Sequence, residues 1–187
     1  MVTILPYNST WPGEFRSIAA QLRHALSELA LRIDHIGSTS VPGLDAKDLI
    51  DIQVTVAGLD PPVENALTHI GYTRLEILAD HPPFGLDSQA DQWAKWYFKP
   101  PEGQRPTNLH VRIDGRANQR YPLLFRDYLR THPASAAAYA ELKRRLAQNL
   151  ADIDTYPDVK DPVVDLIYFA AQDWAAATSW HPGPSDA

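Results

Sequence analysis

Gly37, Ser38, Lys47 and Asp51 carry the most chemistry in this chain. Gly37-Ser38 closes a short apolar strand. Glycine lets the backbone approach a ligand closely, serine adds a hydroxyl, and the successive amides of such a turn can cradle a phosphate. Thr39 and Ser40 continue the hydroxyl-bearing loop and join the phosphate-binding candidates. Asp51 stands between Ile50 and Ile52 in an apolar strand. A carboxylate there is costly to bury alone, so it asks for a cation or for hydrogen-bond donors. It could hold a metal beside the cradled phosphate. It could equally pair with Lys47 or a C-terminal arginine and only order the loop. Lys47 could neutralise a phosphate from the far side of the loop. His35, beside the turn, either orients Ser38 or is a satisfied structural histidine.

His110 lies on a strand whose Leu109, Val111 and Ile113 alternate with Asn108, His110 and Arg112. It could act as general base, metal ligand or phosphate donor, or be a half-buried, hydrogen-bonded histidine. Arg126, Arg130, Lys143 and Lys160 could close a basic rim over an anionic ligand, or face solvent. Trp93, Trp96 and Tyr97 could stack a base, or belong to the core. No paired zinc-ligand spacing and no Gly-x-Ser-x-Gly hydrolase turn occurs.

The elements that must position these groups follow from periodicity. Phe15, Ile18, Ala19, Leu22, Ala25, Leu26 and Leu29 share one helical face, capped by Ser9 or Thr10 with Pro12 in the first turn. Strands are expected at 32–36, 49–56, 72–78, 93–99 and 108–113, with a short helix at 60–69 and a loop over 79–91. Helices follow at 118–130, from Pro133 through Leu146, and from Asp161-Pro162 through Trp174. The order predicts an α+β domain over residues 1–180, with a helical C-terminal layer and a frayed tail at 181–187.

The bulk numbers bound the class. With 187 residues the chain can bury one good core. Its 17 basic and 23 acidic residues give a net charge of −6, which argues against an extended nucleic-acid partner. The chain has no cysteine, which removes disulfides, thiolate metal sites and a cysteine nucleophile, and fits a reducing cytoplasm. No apolar run approaches the roughly 20 residues of a membrane span, and the N-terminus lacks the pattern of a signal peptide, so no membrane partner is expected.

The run HIGSTSVPGLDAKDLIDIQV (residues 35–54) resembles the signature of the GrpB family. Pro6-Tyr7 through Phe15, Phe98-Lys99, Thr107 to Val111, Phe125 to Arg130, Tyr139 to Lys143, and Tyr156 with Lys160 resemble other family stretches in the same order. The resemblance implies a nucleotidyltransferase-like mixed β-sheet flanked by helices. It implies ligand or phosphate contacts at His35, Gly37, Ser38, Thr39, Ser40, Lys47, Lys99, Arg126 and Lys143, and catalytic roles for Asp51 and His110. The superfamily sets Asp-x-Asp on the strand after its Gly-Ser turn. Here the second position is Gln53, which makes Asp51 and Gln53 the metal candidates and weakens the metal set, since an amide binds a cation less strongly than a carboxylate. One Mg²⁺ supported by substrate phosphates is the expected cofactor, in place of a two-metal clamp. A third acid would stand on a later strand; the aligned candidate is His110.

The reading that follows is a cytoplasmic protein that binds a nucleotide or another phosphorylated small molecule and transfers a nucleotidyl group with Mg²⁺. Its rivals are a noncatalytic ligand-binding or accessory module on the same fold, which related domains fused to dephospho-CoA kinases would fit, and a hydrolase or lyase working through His110.

Overall fold

A computed structural model describes residues 2–86, 89–152 and 155–187. In chain order these form α1 (Trp11–Leu26), β1 (Arg32–Ile36), β2 (Ile50–Val56), α2 (Pro61–His69), β3 (Thr73–Leu75), α3 (Ala90–Trp93), β4 (Lys95–Lys99), β5 (Thr107–Ile113), α4 (Ala117–Thr131), α5 (Pro133–Asn149) and α6 (Tyr156–Thr178). The strands make one mixed sheet in the order β1-β2-β5-β4-β3; only the central β2–β5 pair is parallel. No helix among the described residues is long and apolar enough to cross a membrane.

The two faces of the sheet differ, because side chains alternate along each strand. Ile33, Ile52, Val54, Leu109, Val111 and Phe98 are buried with α1 and α2 in one apolar core. The other side carries Asp51, Gln53 and Thr55, in register with Asn108, His110 and Arg112. The helical layer meets this polar side. Leu124, Phe125, Tyr128, Tyr139, Tyr168 and Ala171 form a second apolar cluster with Val41 and Leu44. At the junction the Gln53 amide donates to the Gln119 carbonyl at 3.0 Å, and Arg112 donates to the Gln53 side-chain oxygen at 2.8 Å. The two ends of the Gln53 amide are thus satisfied between the layers, as a buried amide requires away from water.

Three expectations change. The strand expected at 72–78 is confined to Thr73–Leu75. The segment before β4 turns through α3, so that strand starts at Lys95 and not at Trp93; Asp87 and Ser88 of the expected loop lie outside the described residues. The last helix starts at Tyr156, and Pro162 lies inside it. Asp161-Pro162 reads as a helix opening, yet Pro162 lies past the first turn, where its missing N–H leaves the Asp158 carbonyl without an intrahelical donor. The tail lies along β1. Ser185 bonds the backbone of Ile33, Asp186 accepts from the His35 amide at 3.0 Å, and the Ala187 amide donates to the Ile33 carbonyl at 3.1 Å. It satisfies the outer edge of β1, whose backbone groups have no strand beside them.

Candidate functional site

Gly37 turns the chain out of β1 with φ +69°, a conformation that favours glycine. A Cβ there would collide with the Asp51 carboxylate and stand 2.9 Å from its Cβ. The glycine thus exists where strand and turn must touch. Asp51 Oδ1 accepts from the Asn108 amide at 2.7 Å. Burial pushes the Asp51 carboxyl up, while the Asn108 bond and the nearby Lys160 and Lys99 charges pull it back.

Beside this contact lies a cavity of about 240 Å³. The loop before β2 supplies Lys47 and the turn supplies Ser38 and Thr39. Asp51 comes from β2 and Asn108 from β5; Tyr139 and Lys143 come from α5, and Tyr156 and Lys160 from α6. Among the described residues, three lysines from three segments therefore face one cavity with a single carboxylate on its wall. The Lys143 ammonium donates to the Ser38 hydroxyl at 2.9 Å and to the Asp45 carbonyl. Burial, then the Lys160 charge, lower its pKa to about 7. Lys47 stands 4.1 Å from the centre of the Tyr156 ring, and burial and Lys160 lower its pKa also. Burial and a neighbouring ammonium disfavour the charge of both, and an anion among them would restore it.

The remaining sequence candidates serve other contacts. His35 stacks on Phe15 at 4.8 Å and bonds Thr39 Oγ1, not Ser38, at 3.0 Å; burial and the Arg130 and Arg126 charges hold it neutral, with a pKa of about 3. Ser40 Oγ donates to the Gly37 carbonyl at 2.6 Å and so closes the turn. Arg126 is buried and donates to the His35 carbonyl at 3.0 Å and to Asp186 at 2.7 Å, while Arg130 donates to the Ser40 carbonyl. Both arginines clamp the backbone around the turn and do not line the cavity. Lys99 donates to Asn108 Oδ1 at 2.6 Å and thereby backs the wall. His110 lies against Tyr97, 5.1 Å between ring centres, and burial with Arg112 and Lys95 pushes it well below the usual histidine range. It does not line the cavity; Asn108, one step earlier on the same face, does. Gln53 is fully buried with both ends of its amide engaged. Tyr156 entered the sequence reading only through the family likeness, and Tyr139 otherwise only as part of a helical face with Leu142 and Leu146.

The donor set does not fit a metal clamp. Gln53 points its oxygen to Arg112, Asp51 is the one acid on the cavity wall, and no group of three or more His, Asp or Glu that could hold a metal is gathered among the described residues. Two-metal phosphoryl transfer needs clustered carboxylates to fix its cations. Here lysines stand where that charge would be needed.

Residues 1–169 match the profile of a family described as GrpB protein. The chain belongs to the GrpB family. GrpB from Enterococcus faecalis, a crystal structure, superimposes with a TM-score of 0.73 at 31% identity over 92% of this chain and 99% of that one. Cid1 in complex with its short product ApU is similar with a TM-score of 0.52 at 14% identity, over 77% of this chain and 43% of that one, which supports the nucleotidyltransferase-like fold alone. A protein named dephospho-CoA kinase from Mycolicibacterium paratuberculosis is 39% identical over 97% of this chain. The GrpB chain spans only 48% of that relative's length.

Proposed function

We propose that this chain binds the phosphate groups of a nucleotide or another phosphorylated small molecule in the cavity beside the Gly37-Ser38 turn. One observation carries the reading: Lys47, Lys143 and Lys160 converge there on a space that holds, among the described residues, a single carboxylate. A cluster of cations in a partly desolvated hollow attracts a multiply charged anion more strongly than the same cations in open water. Lys143 and the hydroxyl of Ser38 bond the anion, Lys160 and Lys47 balance its charge, and Asn108 occupies one oxygen of the Asp51 carboxylate. The size of the cavity suits a phosphate chain. It falls below the ~300–1,000 Å³ of sites that enclose a drug-sized molecule.

Ligand binding without turnover is the preferred form of the reading, because the second acid of the superfamily's pair is a buried amide here. The doubled length of the dephospho-CoA kinase relative supports the same view: a module that holds a phosphorylated compound next to a separate catalytic part. Nucleotidyl transfer is the second reading, favoured by the position of Asp51 directly against the turn. Calorimetric titration with inorganic pyrophosphate tests the first. Saturable binding that weakens about tenfold or more in Lys160→Ala is expected; no binding to the wild-type chain refutes it. Release of pyrophosphate from nucleoside triphosphates with Mg²⁺, lost in Asp51→Asn, would favour the second.

A further inference from the structure

A second cavity, also of about 240 Å³, adjoins the first, and Lys160 lines both. Its walls have the opposite character. Asp80, Asp161 and Asp165 stand there with Arg112 and the rings of Trp93 and Tyr121. Asp80 is saturated: Lys95, Arg112 and Asn118 all donate to it. Two other buried atoms of this cavity's residues are not, and a third, the Tyr156 hydroxyl, belongs to a residue of the first cavity. Trp93 Nε1, a donor, and Asn118 Oδ1, an acceptor, have no hydrogen-bond partner, although their residues are 5% and 1% exposed. The orientation of the Asn118 amide is fixed, because its nitrogen donates to Asp80 at 3.0 Å and to the Ala94 carbonyl at 2.9 Å. Both partners are acceptors, so the oxygen cannot be exchanged for the nitrogen. Buried polar atoms in a native fold are nearly always paired, and those that are not call for a bound group or water.

We propose that this second cavity receives the base of a nucleotide whose phosphates lie among Lys47, Lys143 and Lys160. The inference rests on the phosphate-binding reading above. A nucleobase is flat and uncharged and carries neighbouring hydrogen-bond donors and acceptors on one edge. Its face lies on the aromatic wall, and a shift of the Trp93 and Asn118 side chains, whose Nε1 and Oδ1 are closed off while the cavity is empty, brings that donor and that acceptor to its edge. The acidic residues repel phosphate from this end, so the ligand enters in one direction. Lys160, shared by the two cavities and 3.4 Å from Asp161, stands where the sugar joins them.

Titration of the full chain with inorganic tripolyphosphate, and then with ATP, GTP, CTP and UTP, separates the two ideas. Tripolyphosphate is expected to bind, and at least one nucleotide to bind tenfold or more tightly. In Trp93→Phe, which keeps a ring and removes only an unpaired N–H with part of the indole, that nucleotide is expected to bind no more tightly than tripolyphosphate. Four nucleotides no tighter than tripolyphosphate on the wild-type chain would overturn the base site, leave water as the partner of both atoms, and spare the phosphate reading. A gain that survives in Trp93→Phe would also overturn the base site. Failure of tripolyphosphate and of every nucleotide to bind would remove both.

Discussion

The ammonium of Lys143 reaches the hydroxyl of Ser38 across 105 residues of chain, at 2.9 Å. This bond joins α5 to the turn that follows β1 and fixes one wall of the cavity. Burial, then the charges of Lys160 and Arg144, bring the Lys143 pKa down to about 7 against the opposing pull of Asp45 and Asp51.

Polyphosphate affinity is therefore expected to fall as pH rises from about 6 to 8.5, the range in which Lys143 loses its proton. Lys143→Met should flatten that profile and weaken binding about tenfold at pH 6, a loss of about 1.4 kcal/mol. The sign for stability is opposite. The unfolded lysine titrates near 10.5, so between about 7 and 10.5 the unfolded chain holds a proton that the folded chain lacks. The Lys143 contribution to stability rises with pH across that window and is level below it. Urea unfolding of wild type and Lys143→Met at pH 6, 8 and 9.5 checks this: the advantage of the variant should be largest at pH 6.

Gly37→Ala and Gly43→Ala form a controlled pair. Both glycines have positive φ, +69° and +78°. Only Gly37 has the Asp51 side chain where a methyl would go; at Gly43 nothing lies within 4 Å. Gly43→Ala should cost about 1 kcal/mol, from the backbone alone. Gly37→Ala should cost about 3 kcal/mol, because the crowding adds to it. Equal losses in chemical unfolding would contradict the contact.

Gln53→Asp restores the acid of the superfamily pattern, yet it should build no metal site. The shorter side chain abandons the bond to the Gln119 carbonyl and sets a carboxylate in front of Arg112. A loss of about 2 kcal/mol is expected from the stranded carbonyl and the buried charge. Melting temperatures with and without Mg²⁺ should coincide; a rise with Mg²⁺ would show that the position can still bind a cation.

Arg126 separates support from ligand contact. Its guanidinium bonds the His35 carbonyl, Asp127 and Asp186. Arg126→Met should cost about 3 kcal/mol, since buried acceptors and a charge lose their partner. Pyrophosphate affinity of the folded variant should change less than in Lys160→Ala. The reverse ranking by calorimetry would put Arg126 at the ligand.

Much of this was legible in the chain. Alternation in Asn108 to Ile113 and the helical stripe from Phe15 to Leu26 reflect burial on one face, and burial writes itself into sequence at fixed periods. The Gly-Ser turn and Asp51 are close in sequence, and their contact is local to two adjacent strands. The rest depends on distant packing. No periodicity tells that Gln53 meets Arg112 and Gln119, or that Asn108 and not His110 faces the cavity. Tyr156 was hidden because Asp161-Pro162 imitates a helix opening, while the true helix begins earlier and carries Tyr156 and Lys160 inward. The tail reads as Pro- and Gly-rich, and its docking on β1 uses backbone groups that no side-chain pattern records.

The central claim is that phosphate groups lie between the Gly37-Ser38 turn and three lysines. A crystal structure of the chain soaked with pyrophosphate tests it most directly. Density for phosphorus within reach of Ser38 Oγ and the ammonium groups of Lys47, Lys143 and Lys160 is the predicted result. Pyrophosphate bound elsewhere, with that hollow holding only solvent, would contradict it.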